Sequence, residues 1–365
     1  MRIFYAADAT PNPDLASQIW KINLYYPLLD LGHQVTTFDY DYGATFRHLD
    51  PALAESAAFI EENRPKLEAE LLRQVEKAHA EQPIQLFFSY FYSAVCRPAV
   101  IRHIRSLGIC TANWYCNASY QFHLIEELAP AYDFCFVPEK YRLPDYRRAG
   151  ARPLYVQEAA NPTFYYPRHL QRDHATTFVG QCYGERGAIV RYLVDRGLDV
   201  RAFGPGWVEP GITRSARRHA ATARRALGVP LGSTLPAGAV GPPLSDDALV
   251  SMYSRSQISL GFSSVGDSHL GERLVQIRLR DFEAPMSGAF YLVEHFDELG
   301  EFFEIGKEIA TYTSKEELAD TIRHHLAHPA EGERIRHAGR LRALADHTWQ
   351  LRFSHAFAEM GLASE

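Results

Sequence analysis

The sequence is short of cysteine, of long apolar runs and of charge imbalance, and each shortage removes a class of protein. Its five cysteines, Cys96, Cys110, Cys116, Cys135 and Cys182, are odd in number and make no CxxC pair. That argues against a disulfide framework and leaves reduced thiols in a cytoplasmic protein as the expectation. No apolar run approaches the roughly 18 residues of a membrane-crossing helix. The opening MRIFYAADAT reads as a strand followed by polar residues, without the apolar core of a secretion signal. A net charge of -6 is too mild and of the wrong sign for a protein devoted to nucleic acid. Metal motifs are scarce as well. The 16 histidines form no HExxH, and His324 and His325 are neighbours on an expected surface helix. The letters DYD at Asp39–Asp41 fit a DxD triplet but read as the end of a strand. No metal site and no cofactor are expected.

What remains is a soluble chain with a sizeable core. Its 365 residues set a prior of two domains, and 46% hydrophobic with 22% charged residues is ordinary for globular proteins. Strand-like and helix-like patterns alternate. Residues 2–7 read as a strand, 15–31 as a helix stopped by Gly32, and 33–40 as a second strand. A long charged helix is expected over 51–80, strands over 84–91, 109–115, 132–138 and 152–156, and a helix over 97–108. Residues 158–169 contain two prolines and no period, and read as a linker. The alternation then restarts. Strands are expected at 175–180, 198–204, 257–263, 289–293 and 309–313, and helices at 186–197, 245–256, 273–286 and 314–328, the last with Glu317 at N3. A final amphipathic helix, 346–362, carries Trp349 and Phe353 four residues apart. The division is 1–160, 161–345 and 346–365. The class is α/β, with two doubly wound, Rossmann-like domains. Ligands of such sheets bind beyond the carboxyl ends of the strands, where helix N-termini offer free N–H groups.

The stretch RDFEAPMSGAFYLV (280–293) holds the strongest local signal. Glu283 is a carboxylate in apolar company near the end of a helix that runs into a core strand. It can accept two hydroxyl hydrogen bonds, as from a ribose, or form an ion pair with Arg278 or Arg280. Residues 263–273 form a polar, glycine-containing loop at the ligand edge. On the first domain, residues 7–14 follow the first strand, and residues 113–122 (NWYCNASYQF) follow another. Residues 213–228 are basic and expected to be helical. They suit a solvated face, or contact with an anionic partner or a membrane surface.

The pattern E-A-x-x-x-G before an apolar strand resembles the donor site of GT-B glycosyltransferases. Three blocks, LRDFEAPMSGAFYLV, FDELGEFFEIGKEIATYTSKEEL and RIRHAGRLRALADHTWQLRF, together resemble the glycosyltransferases related to the spore maturation protein CgeB. The opening FVGQCYGERGAIVRYLVDRGLDVRAFGPGW fits as well, so the resemblance runs from about residue 177 to the C-terminus. It implies transfer of a sugar from a nucleoside diphosphate sugar, held by the second domain, to an acceptor held by the first. The acceptor class stays open between a small molecule, a glycan and an anionic polymer. The last helix would cross back to the first domain. Glu283 would hold the ribose hydroxyls. Related retaining enzymes carry a further glutamate eight positions earlier, where this chain has Val275.

The leaving diphosphate needs cations and N–H donors. Arg186, Arg278, Arg280, His269 and Arg273 are the candidates. Arg280 is favoured as the catalytic cation because it lies three residues before Glu283, whereas Arg278 and Arg280 cannot share a helix face. Gly180 and Gly184 would let backbone approach phosphate, and Ser287 and Gly288 complete the donor block. On the acceptor side, Asp8 is the candidate base and Asp14 a second carboxylate, with Trp114, Tyr115 and Tyr120 as stacking groups or core. Metal-independent, retaining transfer is the expectation. The rivals are a nucleotide-sugar 2-epimerase of the same fold and an inactive binding homologue.

Overall fold

A computed structural model of the protein describes residues 1–7, 17–207, 235–265 and 273–362. The chain divides into two compact units, residues 1–164 with 346–365, and residues 165–345.

Unit 1 is built on six parallel strands: β1 (Arg2–Ala6), β2 (Gln34–Thr37), β3 (Leu86–Ser89), β4 (Cys110–Trp114), β5 (Phe134–Val137) and β6 (Pro153–Tyr155), in the order β2-β1-β3-β4-β5-β6. All four residues of β3 and of β5 are buried, as strands covered on both faces must be. The long helix Ala54–Glu81 and the helix Pro98–Ser106 supply cover. Pro98 opens the second of these, at a position where its missing N–H costs nothing. The helix expected over 15–31 is shorter and less regular. Lys21–Tyr25 winds as a π-helix and Tyr26–Asp30 as an α-helix. Pro27, with no N–H to give, lies in the first turn of the second segment.

The last helix, Trp349–Glu359, belongs to unit 1. Its cap is Thr348, whose hydroxyl accepts from the Leu351 N–H at 3.2 Å, so the helix expected from 346 starts three residues later. Trp349 meets the edge of Trp114 at 5.1 Å and Phe353 meets Phe88 at 5.6 Å. A parallel bridge between Ala160 and Thr348 ties the return segment to the end of the unit's main chain run.

Unit 2 carries β7 (His174–Val179), β8 (Val200–Phe203), β9 (Val240–Gly241), β10 (Ser256–Gly261), β11 (Tyr291–Glu294) and β12 (Ala310–Tyr312). They are parallel in the order β12-β11-β10-β7-β8-β9. Ser245 caps the helix Asp246–Arg255, and Ser314 caps the helix Lys315–Ala327. The expected helix over 273–286 begins only at Leu279. Residues before it run extended and pair with residues 263–265, with Ser264 bridged to Val275. The start is set by Arg278, whose backbone is extended and whose N–H bonds the Asp281 carboxylate at 2.8 Å, the return half of a capping box.

Candidate functional site

In unit 2 the chain starts at β7 in the middle of the sheet. It fills one side with β8 and β9 and the other with β10, β11 and β12. The crevice beyond the carboxyl ends of β7 and β10 is therefore the switch point at which open α/β sheets take ligands. Three arginines converge there. Arg186 opens the helix Arg186–Asp195, and is only 5% exposed. Its guanidinium donates to the Gln181 carbonyl at 3.0 Å and to the Tyr183 hydroxyl at 2.7 Å. It lies 3.8 Å from the Tyr183 ring centre, 5.3 Å from Phe178 and 5.7 Å from Phe262. Arg280 lies 5.2 Å from the same Phe178 ring. Arg278 donates to the Ser264 carbonyl at 2.7 Å.

Ring faces attract a cation without neutralising it. Burial, reinforced by repulsion from Arg278 and Arg280, pushes Arg186 down to about 9. The Nε–H groups of all three arginines are buried and donate no hydrogen bond among the described residues. Three guanidiniums thus share one desolvated place, where Arg280 has Glu283 as counter-charge at 4.0 Å and Arg186 and Arg278 bond only neutral oxygens. The expectation that Arg278 and Arg280 point apart is corrected. It assumed that both lie on the helix, but Arg278 precedes it in extended conformation, so both guanidiniums act on Arg186.

Glu283 sits one turn beyond Arg280 and is 3% exposed. It accepts from the Tyr253 hydroxyl at 2.7 Å and is bonded by Tyr165, with Arg280 Nε at 4.0 Å. Burial raises its pKa, against the pull of Arg280 and the tyrosines. Burial also opposes the charge on Arg280, but Tyr253, Glu283 and Tyr291 outweigh it and hold that guanidinium charged. Asp281 is buried beside them and accepts from the Tyr291 hydroxyl at 2.7 Å. The ion-pair reading of Glu283 and its availability as an acceptor coexist, since a carboxylate has about four lone-pair sites.

The loop after β7 is shaped by close backbone approach. A Cβ on Gly204, which has φ +137°, would lie 2.4 Å from the Gly180 carbonyl oxygen, and Trp207 Nε1 donates to that same oxygen at 2.6 Å. A Cβ on Gly180 would lie 3.1 Å from Arg280 Nη2. Gly184 follows in the same loop with φ 54°. The other donor-side candidates are placed differently. Arg273 is ion-paired with Glu294, so its charge is already matched. Ser287 is fully buried and donates its N–H to the Glu283 carbonyl at 3.0 Å. Gly288, at φ 73°, ends the helix against Pro167, the usual left-handed helix stop. His269 lies outside the described residues, as do Asp8, Asp14 and the basic stretch 213–228.

In unit 1 the expectation that Trp114 and Tyr115 stack on a ligand is corrected. Trp114 has no exposed surface and packs between Trp20 and Trp349. Tyr115 is 2% exposed and donates to Gln121 at 2.8 Å. Tyr120 keeps partial exposure. The sequence reading missed Glu139, just past β5. Burial foremost, with Glu158 adding, pushes its carboxyl up to about 8. Its position at a strand's carboxyl end was a readable signal. It also missed Tyr253 and Tyr165, which reach Glu283 from 30 and 118 residues away; no local pattern marks them.

Known proteins share this fold, and a family model matches part of the chain. Residues 186–358 match the family model described as glycosyl transferase-like. Over essentially the whole chain the fold is similar to that of sucrose-phosphate synthase from Thermosynechococcus elongatus, at 14% identity and a TM-score of 0.62, covering 100% of this chain and 99% of that one. HepE from Anabaena, solved with UDP and glucose, matches at 11% identity and 0.59, over 99% of both chains. A protein provisionally assigned as a UDP-N-acetylglucosamine 2-epimerase, from Listeria monocytogenes, matches at 12% and 0.54, over 100% and 97%. A search of curated proteins finds no match to the sequence. The fold is GT-B. With the family match, it supports a glycosyltransferase.

Proposed function

We propose that the protein transfers a sugar, of the hexose class, from a nucleoside diphosphate sugar to an acceptor bound by unit 1. The observation that carries this reading is the buried cluster of Arg186, Arg278 and Arg280 at the switch point of unit 2, three cations with one counter-charge, Glu283, beside Arg280. A diphosphate fits its charge. Negative charge grows on that group as the sugar leaves, so fixed guanidiniums stabilise the transition state more than the ground state. The same arginines do what a metal would do for the diphosphate, which supports a metal-independent transfer. Glu283, one turn on, would accept from the ribose hydroxyls, with Tyr253 and Tyr165 fixing its orientation. HepE, solved with UDP and glucose, makes UDP the first nucleotide to try. The relation to CgeB-like enzymes and a cytoplasmic setting belong to this reading.

We read the transfer as retaining, with catalysis by positioning and diphosphate stabilisation. Asp8 as an acceptor base would instead give inversion, and the anomeric configuration of the product, read by NMR, decides between them. The test of the whole reading is calorimetry with UDP, GDP, dTDP, CDP and their sugars on the wild type and Glu283→Ala. One diphosphate should bind, and the substitution should weaken it at least about tenfold, or 1.4 kcal/mol. No binding, or binding indifferent to Glu283, overturns it. The likeness to the Listeria protein favours epimerisation as the second reading. Conversion of a UDP-sugar with no acceptor present would establish that instead.

A further inference from the structure

The corner between the helices Lys315–Ala327 and Pro329–Asp346 gathers metal-ligand side chains that the transfer chemistry does not use. Pro329 has no N–H to continue the first helix, so the chain turns and restarts there. The His328 N–H bonds the His324 carbonyl at 2.9 Å and the Glu331 N–H bonds the His328 carbonyl at 3.0 Å. This tight corner returns Glu331 onto the last turn of the first helix, with its Oε2 2.8 Å from His324 Nε2. His325, next along, turns its ring onto Phe290, 4.6 Å away. Its Nδ1 is buried and has no hydrogen-bond partner among the described residues. One ligand atom from each of His324, His325 and Glu331 lies within 4.8 Å of the other two.

We propose that His324, His325 and Glu331 form a zinc site at this corner, with water as the fourth ligand. Two imidazoles and a carboxylate are a donor set suited to zinc. Bonds of about 2.0–2.1 Å at tetrahedral angles place donor atoms roughly 3.3 Å apart, against the present spacing of up to 4.8 Å, so the donors would have to draw together by about 1.5 Å. The ion would lie at a helix C-terminus, where the aligned peptide dipoles favour positive charge. His328, stacked on His324 at 4.4 Å, limits the ring's freedom. A cavity of about 640 Å³ adjoins, lined by Thr321, Lys307 and Arg334 among others. Lys307 is already paired with Glu304 at 2.8 Å. The site borders the start of β12, the edge strand of the sheet, whereas Arg186 lies beyond the carboxyl end of the interior strand β7. Its role is therefore to pin the two helices together, not to act on the donor.

The test is zinc titration by calorimetry on the full chain without a histidine tag, with Co2+ as a spectroscopic probe. One zinc per chain with micromolar or tighter affinity, a raised melting temperature and the visible bands of four-coordinate Co2+ are expected. Glu331→Gln keeps an acceptor for His324 but removes the anionic ligand. His325→Ala removes one imidazole. Each should weaken zinc at least tenfold while far-UV circular dichroism stays unchanged. Absence of saturable binding, or equal affinity in the wild type and both variants, overturns the proposal and leaves a hydrogen-bonded corner.

Discussion

Glu283→Gln probes the ribose contact without changing the shape of the site. Glutamine has nearly the same volume, so no cavity forms. Its amide oxygen can still accept from the Tyr253 hydroxyl, now bonded at 2.7 Å. Burial disfavours the Glu283 charge, but losing it leaves the buried Arg280 without that counter-charge, so stability should fall by up to about 3–5 kcal/mol, and melting is followed beside binding. The ligand feels the change as well. A carboxylate can accept from both ribose hydroxyls, whereas an amide has one acceptor atom, which Tyr253 shares. Losing one hydrogen bond to a charged group costs about 1.5–3 kcal/mol, or roughly ten- to 150-fold in Kd. The assay is calorimetry of UDP and 2′-deoxy-UDP against the wild type and the variant, which closes a double-mutant cycle. If Glu283 holds the 2′-hydroxyl, removing both partners costs far less than the sum of the separate losses. Additive losses, or unchanged UDP affinity, would refute the reasoning and leave Glu283 as the partner of Tyr253 and Arg280 alone.

Three further outcomes are expected. Arg186→Met should weaken UDP by more than about tenfold, as expected for a lost charge-assisted phosphate contact. It should leave the melting temperature equal or higher, because the buried cation is repelled by Arg278 and Arg280; a variant that melts lower and binds UDP normally contradicts the anion-site assignment. For Glu139, whose carboxyl is raised from 4.5 to about 8, the folded state binds the extra proton. Stability is therefore fully present below about pH 4.5 and declines by a few kcal/mol as pH rises to about 8. In Glu139→Gln urea midpoints should fall less over that window, and an identical slope would disprove it. Trp349→Ala removes a buried ring from the return helix and should cost about 3–5 kcal/mol in denaturant unfolding; a loss under 1 kcal/mol would mean that the helix contributes little to unit 1.

Much of this molecule follows from local sequence. The alternation of apolar strands with amphipathic helices, the serine caps at Ser245 and Ser314, and the glycine stop at Gly288 are set by residues within a few positions of one another. Glu283 stood out for the same reason, as a carboxylate in an apolar segment. Parallel sheets hide their order, because each connection can cross to either side; that β7 lies between β10 and β8 is a choice made by packing. From that choice comes the meeting of Arg186 with Arg278 and Arg280, nearly a hundred residues later. Arg278 escapes the spacing rule of helix faces because a capping contact to Asp281 fixes where the helix begins, one residue after it. Trp114 and Tyr115 carry no local sign of which way they face, and only the return of Trp349 and the packing of the sheet bury them. His324, His325 and Glu331 became a cluster through the turn at Pro329. Side-chain chemistry and short-range geometry set most of the strands and helices and the residues that carry usable charge, with 273–278 the exception, held extended by pairing with 263–265. The tertiary structure alone decided which of those charges would share one desolvated place, since contacts across long chain separations are won by burial in a common core.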